Sequence, residues 1–174
     1  MNFEETTLSS KKVFDGKLLN VFLDKVRIPN GKEATREYIK HPGAVAVVPI
    51  QEDGKILLVR QFRYPAKKIF LEVPAGKLDK DEHPDHCVIR ELEEETGYVA
   101  GTLKKMASIY TTPGFTDEVI HLYVAKQLVK TSQRLDEDEF LSVESYSVDE
   151  IRDMLGDGRI SDAKTMLALL LTGV

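Results

Sequence analysis

The sequence predicts an α+β protein with a mixed β-sheet and a small N-terminal antiparallel β appendage. Three features lead to this prediction: β-type runs paired around tight turns, one capped helical segment in mid-chain, and two helical segments near the end. A length of 174 residues with 42% hydrophobic and 30% charged residues is typical of an ordinary globular protein. Disordered and fibrous classes are therefore excluded.

The appendage is predicted from the first pair of β-type runs. Residues 18–28 and 33–40 flank the turn segment Pro29-Asn30-Gly31-Lys32. An Asn-Gly pair favours the positive φ angles of a tight hairpin turn. Pro42-Gly43 then interrupts the pattern, which places a boundary near residue 41. We predict a β-hairpin appendage over 1–41 and a main domain over 42–174.

The main domain is predicted to combine buried strands with three helices. The strands are expected at 44–50, 55–62, 69–74, 103–110, 118–126 and 140–147. A helix over 84–96 begins with Pro84 and ends at Gly97. The polar stretch 130–139 has no periodicity and predicts a mobile loop. Two helices follow at 148–156 and about 162–172, the second with Ser161 or Asp162 as candidate N-cap.

Charge and cysteine content narrow the class of partner and compartment. The net charge is −5, with 24 basic and 29 acidic residues, so no nucleic-acid or membrane partner is expected. The single cysteine, Cys87, excludes an intramolecular disulfide and favours a reducing compartment. The first ten residues are acidic and polar, unlike a signal peptide. We therefore expect a cytoplasmic protein.

The helix over 84–96 carries a cluster of carboxylates. Helical periodicity places Glu91, Glu94 and Glu95 on one side of it. Like charges three or four residues apart destabilise a bare helix by a few tenths of a kcal/mol each, about the size of one ion pair. A solvated acidic face is the ordinary explanation of such a run. Neutralisation by a divalent cation is the alternative, and the surrounding sequence favours it.

Residues 76–98 resemble the box of the Nudix hydrolases, Gly-x5-Glu-x7-Arg-Glu-U-x-Glu-Glu-x-Gly-U, where U is apolar. The matching positions are Gly76, Glu82, Arg90, Glu91, Leu92, Glu94, Glu95, Gly97 and Tyr98. Tyr98 departs from the pattern because an aliphatic residue is usual there. The resemblance implies a Nudix-type α/β/α sandwich over 41–174 and hydrolysis of a nucleoside diphosphate linked to a second moiety.

The resemblance also implies Mg²⁺ as the cofactor, with Mn²⁺ as the alternative cation. Mg²⁺ prefers oxygen ligands and keeps several waters, so one or two carboxylates suffice for each ion. Glu91 and Glu95 are the candidate ligands, joined by the carbonyl of Ala75. Glu94 is the third carboxylate, and we place it with the catalytic residues. Such ions stabilise charge on a diphosphate and activate a bound water, so no covalent nucleophile is needed.

Four box residues are assigned structural roles. Gly76 allows a tight turn into the loop before the helix. Arg90 and Glu82 are expected to form an internal ion pair that orients this loop. Gly97 ends the helix. His83 and His86, at the start of the helix, are expected to be exposed to solvent.

Three segments resemble the ADP-ribose pyrophosphatase subgroup of the family. They are LEVPAGKLD at 71–79, TREY at 35–38, and Pro113, which stands sixteen positions after Gly97. Pro113-Gly114 is also typical of an ordinary turn between strands. The resemblance implies hydrolysis of ADP-ribose to AMP and ribose 5-phosphate.

The subgroup resemblance implies further substrate contacts. Arg36 and Glu37 are expected at the adenine or phosphate end, and Arg63 at the diphosphate, since a guanidinium bonds phosphate oxygens in pairs. Phe22 is either a stacking surface for adenine or a strand residue packed inward. In the subgroup the N-terminal appendage is exchanged between two subunits, which implies a homodimer; a hairpin of this size is marginal alone.

The loop at 130–139, called the acidic loop below, contains the remaining candidates, Asp136, Glu137, Asp138 and Glu139. We assign Glu137 as the general base and Glu139 as an accessory metal ligand, and a solvated charge run is the alternative. A mobile loop of this kind can close on bound substrate.

Other substrates and roles stay open at this point. They are NADH, a dinucleoside polyphosphate or a nucleotide sugar, and a nucleotide-sensing module without catalysis. The three carboxylates disfavour the sensing module, and the dispersed Lys and Arg residues disfavour nucleic-acid decapping.

Overall fold

The computed structural model describes residues 2–174 and divides them into two compact units. The first unit contains the chain up to Pro42 together with Tyr110–Val119. The second contains Gly43–Ile109 and Ile120–Val174. The strands are β1 (Thr6–Asp15), β2 (Asn20–Arg27), β3 (Glu33–Lys40), β4 (Ala44–Pro49), β5 (Ile56–Arg63), β6 (Lys68–Glu72), β7 (Ala75–Lys77), β8 (Tyr98–Tyr110), β9 (Val119–Lys130) and β10 (Leu141–Tyr146). The helices are α1 (Pro84–Thr96), α2 (Val148–Gly156) and α3 (Ala163–Leu171), with one 3₁₀ turn at Tyr64–Ala66.

The first unit is built on a three-stranded antiparallel sheet in the order β1-β2-β3. The expected hairpin is its β2–β3 pair, which runs in continuous register from Asn20 opposite Lys40 to Arg27 opposite Glu33. Strand β1 adds a third strand to this hairpin, which the sequence does not predict. Its residues are all exposed, and two irregularities in its pairing break the two-residue period that signals a strand.

The turn between β2 and β3 also differs from the predicted one. Only Gly31 of the Asn-Gly pair has a positive φ, of 84°. The amide of Gly31 donates to the Ile28 carbonyl at 2.8 Å, and the Ile28 amide donates to the Lys32 carbonyl at 2.9 Å. The connection is therefore longer than a two-residue turn, since it closes across Ile28 and Lys32.

A later segment of the chain joins the first unit. The Ile39 amide donates to the carbonyl of Phe115 at 2.8 Å, and the His41 amide donates to the Asp117 side chain at 2.8 Å. The pattern break at Pro42-Gly43 does not anticipate this contribution from residues 110–119.

The second unit contains two sheets, in the orders β10-β5-β6 and β7-β4-β9-β8. Strand β4 is antiparallel to β7 and parallel to β9, so the expected mixed sheet is confirmed. All six residues of β4 are buried, as in a strand covered on both faces. The sequence pattern does not separate the short strand β7 from its neighbours.

The two faces of β4 place the helices. Ala46 and Val48 belong to a core shared with Ile151 of α2 and Leu169 of α3. Val45 and Val47, on the other face, belong to a core shared with Cys87, Val88 and Leu92 of α1. Helices therefore cover both faces of the mixed sheet, which agrees with the expected α/β/α arrangement.

The helix ends follow local chemistry. Pro84 lies in the first turn of α1, the side chain of His83 accepts the Asp85 amide at 3.3 Å, and Gly97 ends the helix at a φ of 71°. Ser147 and Glu150 form a capping box on α2, and Asp162 caps α3. Among residues 2–174, no helix is long and apolar enough to cross a membrane.

Candidate active site

The carboxylates of α1 differ in burial. Glu91 and Glu95 are only 9% and 2% exposed, whereas Glu94 is half-buried. Val88 and Leu92 of the same helix pack into the core. Because Glu91 and Glu95 lie beside them on the helix, this packing also buries the two carboxylates. The Ala75 amide at the start of β7 donates to Glu95 Oε2 at 2.9 Å. The helix thus brings together Glu91, Glu95 and the Ala75 segment.

Arg90 connects three carboxylates of the box. It donates to Glu82 through Nε and Nη2 at 3.0 and 2.9 Å. Its Nη1 also donates to Glu91 at 2.8 Å and to Glu94 at 3.0 Å. The paired bonds from Arg90 hold the pKa of Glu82 down, at about 2. Arg90, which lies on α1, therefore contacts both Glu82 of the preceding loop and the carboxylates of the helix.

Two glycines are required by close approach. A Cβ atom on Gly76 would overlap the carboxylate of Glu91. A Cβ atom on Gly97 would lie 2.8 Å from the backbone nitrogen of Gln133, and Gly97 also has a positive φ. Glycine at these two positions lets β7 and the 130–139 loop pack directly against α1.

Burial makes the charged forms of Glu91 and Glu95 unfavourable. Loss of solvation raises the pKa of Glu91 to about 7, against the opposing effect of Arg90. Loss of solvation raises the pKa of Glu95 to about 8, against the opposing hydrogen bond from the Ala75 amide. The negative charge of Glu139 adds to both increases. Both carboxylates therefore bind protons near neutral pH unless another positive charge takes the place of those protons.

The donor set fits a divalent cation. Carboxylate and carbonyl oxygens are the ligands that Mg²⁺ and Mn²⁺ prefer, and a cation beside Glu91 and Glu95 would remove the cost of their burial. Within residues 2–174, no group of three or more His, Cys, Asp or Glu side chains is arranged to hold a metal ion. The guanidinium of Arg90 lies between Glu91 and Glu94 instead.

Two carboxylates of the acidic loop, Glu139 and Glu137, differ in their relation to the carboxylates of α1. Glu139 is near enough to raise the pKa of Glu91 and Glu95, and its amide donates to the Asp136 carbonyl at 3.0 Å. Glu137 is exposed, and within the described chain no hydrogen bond or ion pair holds its side chain. Glu139 therefore acts on the two buried carboxylates through its charge, whereas Glu137 lies in solvent.

Arg63 is held by Glu72, a residue that is not among those predicted from the sequence. Its Nε and Nη2 each donate to Glu72 at 2.7 Å. Glu72 is 1% exposed and also bonds Lys164, which contacts Asp162 at 2.9 Å. Burial opposes ionisation of Glu72, but Arg63 and Lys164 outweigh it and lower its pKa. The available signal was a charged residue inside the apolar run at 69–74.

The remaining predicted residues lie in the first unit. The rings of Phe22 and Tyr38 stack with centroids 5.5 Å apart, and Lys40 Nζ lies 5.0 Å from the Phe22 centroid. Phe22 is half-buried, so it has a partner within the sheet and still keeps exposed surface. Arg36 donates from Nε to Glu5 at 2.9 Å, a partner that the sequence did not suggest. Glu37 is exposed on β3.

Pro113 lies in an exposed turn of the first unit. The Phe115 amide donates to the Thr112 carbonyl at 3.1 Å, which closes the turn around Pro113-Gly114. The turn interpretation of this pair is therefore correct, and it leaves the substrate role of Pro113 as a prediction.

Comparisons with known proteins agree along the chain. The NUDIX domain family matches residues 40–169, and the nucleoside diphosphate sugar hydrolase N-terminal domain matches residues 5–39. An ADP-ribose pyrophosphatase from Bacillus subtilis is 42% identical, covering 97% of this chain and 92% of the relative. A methanol dehydrogenase activator from Bacillus methanolicus is 45% identical over 96% of this chain and 91% of the relative. The crystal structure of an ADP compounds hydrolase superposes with a TM-score of 0.87 at 25% identity, covering 99% of this chain and 94% of that one.

Proposed function

This chain belongs to the NUDIX domain family, and from that premise we propose that it hydrolyses the pyrophosphate bond of ADP-ribose to AMP and ribose 5-phosphate. The observation that carries the proposal is the buried pair Glu91 and Glu95 beside the Ala75 segment, within a chain that matches an ADP-ribose pyrophosphatase over nearly its full length. The proposed products follow from attack of water on one phosphorus of the diphosphate.

Glu91, Glu95 and the carbonyl of Ala75 would hold a divalent cation, Mg²⁺ or Mn²⁺. When bound, such a cation supplies charge stabilisation at the diphosphate and lowers the pKa of a coordinated water. The raised pKa values of Glu91 and Glu95 support this assignment, since a cation is what would keep both ionised at neutral pH. Glu139 is proposed as an accessory ligand because its charge already acts on both.

The chain's own residues have distinct proposed roles. Arg63 is oriented by its paired bonds to Glu72 and would bind diphosphate oxygens. Glu137, on the exposed part of the acidic loop, would take the proton of the attacking water. Glu94, which Arg90 contacts, would be a further catalytic carboxylate beside Glu91 and Glu95. Arg36, Glu37, Phe22 and Pro113 would bind the nucleotide end.

We propose a homodimer in which the N-terminal segment completes the partner's site. The first unit exposes several apolar side chains that a second chain could cover, namely Phe3, Val13, Phe14, Leu18 and Leu19. A three-stranded sheet with such a surface gains stability by packing against a further layer. We also propose a cytoplasmic location, in keeping with the free and buried Cys87.

Product analysis tests the proposed reaction. The protein is incubated with ADP-ribose and Mg²⁺, and the products are separated by ion-exchange chromatography. We expect AMP and ribose 5-phosphate in equal amounts, and no turnover after exhaustive chelation. Turnover that is undiminished by chelation would contradict the proposed metal dependence.

A nucleotide sugar is the second candidate substrate, because the nucleoside diphosphate sugar hydrolase N-terminal domain matches residues 5–39. A panel of ADP-ribose, ADP-glucose, NADH and a dinucleoside polyphosphate separates the candidates by kcat/KM. We expect ADP-ribose to rank first. A higher kcat/KM for ADP-glucose would replace the proposed substrate while keeping the reaction.

A further inference from the structure

The start of the acidic loop forms the C-terminal cap of α1. The last carbonyls of a helix have no partner within it and must be satisfied from outside. The Arg134 amide donates to the Glu94 carbonyl at 3.0 Å, and the Thr131 amide donates to the Gly97 carbonyl at 2.7 Å. Gln133 donates from its side-chain Nε2 to the Glu95 carbonyl at 2.6 Å. Three backbone carbonyls around the helix end, those of Glu94, Glu95 and Gly97, are thus bonded to one loop.

Gln133 is the side chain that ties this loop to Glu95. The Glu95 carboxylate receives the Ala75 amide while the carbonyl of the same residue receives Gln133, so Glu95 is held at both ends. The nearby ion pair of Arg134 with Glu93, at 3.2 Å, is exposed on its arginine side and contributes little. Of these two side-chain contacts between the loop and α1, the hydrogen bond from Gln133 is therefore the more important.

The anchor also limits where the loop acids can lie. A chain segment extends at most about 3.6 Å per residue, so Glu139 stays within about 22 Å of Gln133. The Asp136–Glu139 turn shortens this reach further, through the bond from the Glu139 amide to the Asp136 carbonyl. The Glu139 carboxylate also accepts the Asp136 amide at 3.5 Å, so its position follows that of the turn. Fixing one end of the loop therefore restricts the position of this carboxylate.

We infer that Gln133 is a positioning residue: its hydrogen bond to the Glu95 carbonyl holds the acidic loop so that Glu139 faces the Glu91–Glu95 pair. This inference rests on the proposed role of Glu139 as an accessory ligand for the divalent cation. Gln133 itself touches neither substrate nor cation.

The test removes the hydrogen bond and keeps the length of the side chain. Gln133→Met is compared with Gln127→Met, whose exposed parent residue also makes one side-chain bond, from Thr102 Oγ1 at 2.7 Å, between the neighbouring strands β8 and β9. Mn²⁺ affinity is measured by calorimetric titration, kcat and KM with ADP-ribose, and stability by thermal unfolding. We expect Gln133→Met to weaken Mn²⁺ binding and lower kcat by about tenfold, the usual effect of losing a residue that orients a ligand. KM and the unfolding midpoint should match those of Gln127→Met.

A double-mutant cycle shows whether Gln133 acts through Glu139. If it does, Gln133→Met has no further effect on Mn²⁺ affinity in a Glu139→Gln background. The inference is overturned if Gln133→Met binds Mn²⁺ like the wild type, or if its full effect persists in that background.

The Mn²⁺ titration separates this inference from the proposed function. A wild-type protein that binds Mn²⁺ but leaves ADP-ribose intact would overturn the substrate, while the cycle would still decide the role of Gln133. A wild-type protein that binds no Mn²⁺ would overturn both.

Discussion

The carboxylate of Glu91 occupies the space that a Cβ atom on Gly76 would need. Strand β7 and helix α1 therefore approach each other with no room for a side chain at this position. Glycine at residue 76 keeps the Glu91 carboxylate where it lies beside Arg90 and the Ala75 segment.

Replacing Gly76 by alanine should displace Glu91 and lower kcat by about tenfold or more, because a ligand moved from its position loses cation affinity. Steady-state kinetics with ADP-ribose and Mg²⁺ check this expectation. Gly156→Ala is the matched control, since a Cβ there meets nothing within 4 Å. Equal kcat values for both variants would show that the approach of β7 to Glu91 has no catalytic consequence.

Glu95→Gln should lower kcat by about 10²-fold while the fold remains intact, because the variant loses one negative charge that would hold the cation. Kinetics and circular dichroism measure the two effects. Glu93→Gln, two residues earlier on the same helix, should keep near-normal activity. Wild-type rates in Glu95→Gln would place the cation elsewhere.

Metal-free protein should lose stability as the pH rises from about 5 to 8. The folded-state pKa values of Glu91 and Glu95 lie at about 7 and about 8, above the ordinary value of 4.5. The folded state then binds more protons than the unfolded state in this window, so unfolding becomes easier as the pH increases. Thermal unfolding in the presence of a chelator measures the slope, and Mg²⁺ should restore the midpoint at pH 8.

Glu95→Gln serves as the comparison for this pH dependence. The variant lacks the more strongly shifted carboxyl, so its midpoint should change less between pH 5 and 8. Identical slopes for the two proteins would mean that Glu95 does not carry the raised pKa.

Arg63→Lys should raise KM for ADP-ribose by about tenfold, because lysine cannot make the paired bonds that orient Arg63 on Glu72. Arg60→Lys is the matched control: Arg60 lies on the same strand and pairs with Glu144 in the same two-bond manner, with a similar exposure. Initial rates over a range of ADP-ribose concentrations give both KM values. An equal rise of KM in the two variants would contradict a specific role of Arg63 and would instead indicate a general disturbance of strand β5.

Arg36→Ala and Glu95→Gln chains should each be inactive and should recover partial activity when mixed and refolded. In the proposed exchanged dimer, Arg36 and Glu95 at one site come from different chains, so a hybrid dimer keeps one site without either substitution. Tagged hybrids are purified and assayed with ADP-ribose. Inactive hybrids, or a fully active monomer in sedimentation, would refute the exchange.

The helix of the site could be predicted from sequence because its signals are local. Pro84, Gly97 and the spacing of Val88 and Leu92 define α1 without reference to the rest of the chain. The register of the box residues on that helix then follows from the 3.6-residue period.

Contacts between distant segments could not be predicted in this way. The partners of Arg63 and Arg36, namely Glu72 and Glu5, depend on which strands lie side by side. Strand β1 escaped prediction because its exposed residues carry no alternation of polar and apolar side chains. The tether from Gln133 to Glu95 joins residues that only the folded chain brings together.

The parallel pairing of β4 with β9 has a consequence for how the protein acquires its fold. Ala44 lies opposite Ile120, and between them the chain forms β5, β6, β7, α1 and β8. Contacts between residues so distant in sequence slow folding, because the intervening loop must be ordered before the pairing compensates for it. During synthesis, the central strand therefore waits for β9 to emerge from the ribosome. Until then α1 lacks part of the surface that buries Val88 and Leu92, and the nascent chain exposes an unpaired apolar strand edge that a chaperone can bind.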